Sequence, residues 1–73
     1  MASLPIAPIR RIARQHSERV SEDAIVALSE TAETILDVIC EDASKITART
    51  GKKTLTKTDI DTALSINGLK SYI

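Results

Sequence analysis

The chain has 73 residues, ten Lys and Arg against ten Asp and Glu, one Cys, one His and a single aromatic residue, Tyr72. That length allows one domain at most, residues 1–73, and a chain this short is marginal unless something staples or enlarges its core. One cysteine excludes an internal disulfide, and a lone His16 and a lone Cys40 offer no metal-ligand spacing, so no metal or other cofactor is expected.

The core must come from Ile, Leu, Val and Ala, and oligomerisation is the remaining way to enlarge it. Cys40 falls inside a helical pattern, where it is expected to pack as a small hydrophobe, and its solitary use suits a reducing compartment. The first apolar stretch, LPIAPI, is short and broken by two prolines, so no signal peptide is expected. No run approaches the ~20 apolar residues of a membrane span. The expectation is a soluble, intracellular protein without a membrane partner.

The net charge is zero, but the charges are sorted along the chain. Arg10, Arg11, Arg14 and Arg19 face only Glu18 near the start. Positions 20–42 hold seven acids and no base, and positions 43–57 hold five bases and no acid. A phosphate backbone responds to local potential within a Debye length, about 8 Å in physiological salt, so a zero total does not exclude a polyanion partner.

In chain order, Pro5 and Pro8 bracket an extended lead-in. A short helix is predicted from Pro8 to His16, with Ile9, Ile12 and Ala13 on its apolar side. Gln15 to Val20 reads as a connection. Ser21 is placed to cap a second helix, with Glu22 and Asp23 at the positive end of its dipole. Residues 22–50 contain neither Gly nor Pro, and Ala24, Leu28, Ala32, Ile35, Ile39, Ala43 and Ile46 form an apolar stripe at helical spacing. Gly51 supplies the stop. Thr56 caps a third helix, with Asp59 three residues on and Ile60, Ala63 and Leu64 on its apolar side. Asn67-Gly68 ends it. Residues 68–73 form a tail, a short strand or a disordered end, with Tyr72 and Ile73 as candidate anchors. A long central helix cannot fold back on itself, so a partner's long helix crossing it is the expected cover for the stripe.

Three motifs in order resemble archaeal histones: LPIAPIRRIAR at 4–14, ERVSEDA at 18–24 and GKKTLTKTDIDTAL at 51–64. IRRIAR with a tail ending near Tyr72 is also similar to eukaryotic histone H4. The resemblance implies an all-α histone fold and a head-to-tail handshake dimer. In that dimer the first loop of one chain lies beside the second loop of the other, which gathers the two basic blocks on one edge. It implies non-sequence-specific binding of double-stranded DNA, compaction or wrapping of that DNA, and a place on the nucleoid in the cytoplasm.

By the same resemblance Arg19 enters the minor groove, and Thr54 holds the partner's Arg19 in position. Lys53, Lys52 and Arg11 contact phosphate, with Arg10 and Arg14 as further candidates. Ser21 and the first amides of the long helix could receive a phosphate. A dimer–dimer contact is implied at Ile46, Arg49, Asp59 and Thr62, giving a tetramer or larger assembly, with an Arg49–Asp59 pair across dimers. Asp59 also has a structural role implied: a buried pair with the residue two before the threonine. Lys52 stands there in place of the family's arginine, which reduces a bidentate pair to a point contact. A second reading remains open, in which the chain pairs with another histone-fold chain and binds DNA weakly or not at all. No nucleophile–base pair, phosphate-binding glycine loop or metal set supports an enzyme.

Overall fold

The computed structural model describes residues 5–72. Three helices run α1 (Ile6–Arg14), α2 (Glu22–Arg49) and α3 (Lys57–Ile66), followed by a 3-10 turn at Lys70–Tyr72. The chain divides into two units within α2, after Ile35.

In the first unit, α1 starts two residues earlier than the proline pattern suggests. Pro5, in an extended conformation, is the N-cap residue. Pro8 therefore sits third in the helix rather than first. Its missing N–H still costs nothing, because the first turn has no intrahelical acceptor for it. The helix also stops before His16. The amides of His16 and Ser17 both donate to the Ala13 carbonyl at 3.1 Å, which closes a turn instead of continuing the spiral.

Ser21 opens α2 as its sequence context requires. Its Oγ accepts the Ala24 amide at 3.2 Å, and its carbonyl accepts the Ile25 amide at 3.1 Å. The buried positions of this unit are Ile25 and Ser29. Neither belongs to the row of Ala24, Leu28, Ala32 and Ile35. Each lies one residue beyond a member of that row, about 100° further around the helix. The row itself stays open, with Leu28 at 44% and Ile35 at 46% exposure. Ala24, Leu28 and Ala32 line a groove with Ile9, Ile12 and Ala13 of α1. The Ser29 hydroxyl is buried with no hydrogen-bond partner, a burden of about 1–3 kcal/mol in an otherwise apolar place.

In the second unit the rest of the stripe is consumed by α3. Ile39, Ala43 and Ala63 form the buried core, with Ile46, Ile60, Leu64 and Leu69 packed against it. Two alanines at the contact let the helix backbones approach closely, and a larger side chain at either would force them apart. The C-terminus of α2 closes on Gly51, whose φ of 73° is open to glycine without strain. Thr56 caps α3 in a full capping box: its hydroxyl accepts the Asp59 amide and the Asp59 carboxylate accepts the Thr56 amide. At the other end Asn67 Nδ2 donates to Asp42 Oδ2 at 2.9 Å and to the Ala63 carbonyl at 2.8 Å, tying α3 to α2.

Two expectations are corrected here. The tail over Lys70–Tyr72 is a 3-10 turn rather than a strand. It is held by Leu69 in the core and by Lys70 on Asp61 at 3.2 Å, whereas Tyr72 is exposed. Ile73, the other candidate anchor, lies outside the described residues. Cys40 is exposed and free in the chain, not packed as a hydrophobe. It follows buried Ile39 in the helix, and one step rotates it off the core face.

Candidate nucleic-acid interface

The first basic block belongs to the first unit. α1 is short, and its arginines occupy successive and one-turn-spaced positions, so they fan over more than one face. Arg11 and Arg14 are exposed, and so is Arg19 in the connection to α2. Arg10 is different. Its guanidinium donates through Nη1 to Glu22 Oε1 at 2.7 Å and through Nη2 to Glu22 Oε2 at 3.0 Å. That bidentate bond raises the Arg10 pKa and holds the Glu22 carboxyl below its ordinary range, with Arg14 adding to the second effect through space. Ser21 spends an oxygen lone pair on the helix cap, which leaves its O–H free to donate.

The second block belongs to the second unit. Lys52, Lys53 and Thr54 follow Gly51 in the loop before α3, and all three are exposed. Lys52 Nζ stands 3.6 Å from Asp59 Oδ1, a point-charge contact without hydrogen-bond geometry. Lys57 and Lys70 are both committed to Asp61, at 2.7 and 3.2 Å, and hold it below its ordinary range. Lys45 lies 3.7 Å from Glu41. Among the described residues, Arg11, Arg19, Arg49 and Lys53 enter no ion pair.

The remaining candidates lie around the end of α2 and the start of α3. Ile46 is packed on the core, Arg49 is exposed, and Thr62 is exposed with its hydroxyl donated to the Thr58 carbonyl at 3.0 Å. Asp59 is only 3% exposed. Its Oδ2 accepts the Thr47 hydroxyl at 2.7 Å and the Thr56 amide at 3.2 Å. A pair with Arg49 of another dimer would have to draw this carboxylate out of its own chain's network.

Thr47 is the residue that sequence reasoning missed. Its hydroxyl reaches both the Ala43 carbonyl at 3.0 Å and the Asp59 carboxylate at 2.7 Å. One hydroxyl proton serves one acceptor at a time, and the shorter, charge-assisted bond is the stronger. A signal was present: Thr47 continues the row Ile39, Ala43 at four-residue spacing, so its polar group had to find a partner inside.

The Thr47 hydroxyl, then the Thr56 amide, hold the Asp59 carboxyl below its ordinary range against the opposing effect of burial. A carboxyl that is more acidic folded than unfolded contributes stability at neutral pH. That contribution fades as pH falls through the ordinary aspartate range toward the lowered folded value. Asp59→Asn is expected to lower the thermal midpoint at neutral pH and to flatten its decline between about pH 5 and pH 2. Melting curves followed by circular dichroism across that range check it; parallel acid slopes for the two proteins would remove Asp59 from the explanation.

Among the described residues no three metal-ligating side chains gather, and no helix is long and apolar enough to cross a membrane. Residues 2–64 match the family model described as histone-like transcription factor (CBF/NF-Y) and archaeal histone. The chain is also 42% identical over 65 residues to one subunit of the archaeal histone HAN1 of Thermococcus zilligii, a match covering 88% of this chain and 97% of that protein. Short helix, long central helix, short helix, with basic loops at both ends of the central one, is the histone arrangement. The chain belongs to the family of histone-like transcription factors and archaeal histones, and it is of the archaeal histone type.

Proposed function

We propose that this chain is an architectural protein that compacts double-stranded DNA without reading its sequence, acting as a histone-fold dimer or a larger assembly on the nucleoid. The observation that carries the reading is the set of cations left unpaired. Arg11, Arg19 and Lys53 are exposed and enter no ion pair among the described residues, while Lys45, Lys52, Lys57 and Lys70 each stand near a carboxylate of their own chain. Cations that fold without a partner are those a phosphate backbone can recruit at no internal cost.

The apolar row of α2 supports the dimer. Leu28 and Ile35 remain half open in the chain, beside a groove that α1 and α2 leave uncovered. Water-exposed side chains of that size in a row favour cover by a second long helix. Handshake pairing would then set Arg19 of one protomer beside Lys53 and Thr54 of its partner. Arg11, Arg14 and Lys52 would grip the backbone nearby, with Ser21 donating to a phosphate. Such contacts position DNA and carry no sequence information, so preference would follow bendability alone. Stacking of dimers would use Ile46, Arg49, Asp59 and Thr62.

Titration of the pure protein onto two unrelated duplexes checks the reading. Affinities within about threefold of each other are expected, with a loss of about 10³-fold or more between 50 and 200 mM salt if six or more phosphates are engaged. A binding constant that ignores salt, or strong preference for one duplex, would defeat it.

A second reading has its own observation. No base interrupts the seven acids between positions 20 and 42, and self-pairing along α2 would bring two such segments together. A basic partner helix would relieve that repulsion, and the name of the related HAN1 chain makes it one component of a histone with more than one. Light scattering on the isolated chain separates the two: a stable homodimer supports the first reading, and an unfolded monomer supports the second.

A further inference from the structure

Glu22 is an acid placed among the bases of the first block. Both of its carboxylate oxygens are hydrogen-bonded by Arg10, at 2.7 and 3.0 Å, and Arg14 acts on it through space. Side-chain exposure is 74% for Glu22 and 28% for Arg10. The carboxylate is thus open to solvent while the guanidinium is partly covered, so the acid forms the outer layer of the pair. A phosphodiester offers Arg10 the same thing that Glu22 does: two anionic oxygens in one plane for two parallel N–H donors. The two anions cannot hold those donors together.

We infer that Glu22 gates Arg10, occupying in the free protein the two guanidinium donors that a DNA phosphate would take, so that Arg10 joins the interface only when the phosphate field displaces the carboxylate. This rests on the DNA-binding reading above and adds to it a residue that sets how strongly the protein holds DNA at a given ionic strength. The competition is an even one. Exposed ion pairs are weak and screened by salt, so the pair yields where phosphates are dense and re-forms where they are sparse. Arg11 and Arg19, with no carboxylate to leave, pass through no such step. Opening the pair also uncovers one negative charge beside the DNA, which lowers the gain from each recruited Arg10.

The test is a double-mutant cycle read by fluorescence anisotropy on a short mixed-sequence duplex across a salt series. Glutamine at position 22 keeps the length and a hydrogen-bond acceptor but removes the charge. Glu22→Gln is expected to bind about five- to twentyfold more tightly at low salt, for a dimer with two such sites. Its log–log salt slope is expected to steepen by about 0.9 for each chain that gains a phosphate. In an Arg10→Gln background the same replacement should recover less than half of that gain. Circular dichroism checks that each variant is folded.

Unchanged or weaker binding by Glu22→Gln overturns the gate, because it makes the acid a bystander or a support for Arg10. An equal gain in both backgrounds overturns it as well, since removing any acid near DNA would do the same. If the wild-type protein fails to bind duplex at any salt, both this inference and the DNA-binding reading fall. If it binds and does not respond at position 22, this inference falls alone.

Discussion

Replacing Arg19 with alanine lowers duplex affinity by at least about tenfold and flattens the salt dependence by about one unit of log–log slope per chain. The reasons are local. Arg19 is exposed, enters no ion pair among the described residues, and precedes a firmly capped helix start at Ser21. Its backbone is therefore placed while its side chain is uncommitted, which suits a guanidinium entering a narrow, negative groove. Stability should hardly change, with a thermal midpoint within about 3 °C of wild type, because an unpartnered surface side chain contributes little to folding. Lys57→Ala is the charge-matched comparison, since Lys57 is already bound to Asp61 at 2.7 Å. It should lose less than about threefold. Anisotropy on one duplex across a salt series measures both, and equal losses would show that net charge matters rather than Arg19.

Ile35→Asp should abolish the assembly. In the chain by itself Ile35 is 46% exposed, so an aspartate there meets water and costs little. Under a partner's long helix the same carboxylate would be buried without a counter-charge, at a cost of several kcal/mol. At about 1.4 kcal/mol per factor of ten, that is a weakening of at least about 10³-fold in pairing. Since so few large side chains are buried inside the chain, much of the helicity should go with it. Thr34→Asp, one residue away and exposed, is the control that keeps the charge and changes the face. Light scattering and far-ultraviolet circular dichroism at matched concentration decide the matter. A dimer of Ile35→Asp as tight as wild type would place the contact surface elsewhere.

Both expectations turn on one contrast between the two ends of the chain. In the second unit, the apolar row Ile39, Ala43 and Ile46 finds its cover within the chain, from α3. In the first unit, Leu28 and Ile35 of the same row do not. A stripe that looks uniform in periodicity divides by what covers it.

What could be read from the residues was local. Ser21 and Thr56 as caps, Gly51 as a stop, the long unbroken α2 and the order of the three helices all follow from spacing and backbone preference. Such features depend on neighbours within a turn, and those neighbours are adjacent in the sequence. The three motifs carried the family for the same reason. What only the tertiary structure decided was pairing at a distance. Glu22 chose Arg10, twelve residues away, from among four arginines, and Asp59 chose Thr47, which no motif had singled out. Ile25 and Ser29 were taken inside, while Leu28 was left out. Helical periodicity tells which residues share a face, but the angle at which another element meets that face determines which of them lose water.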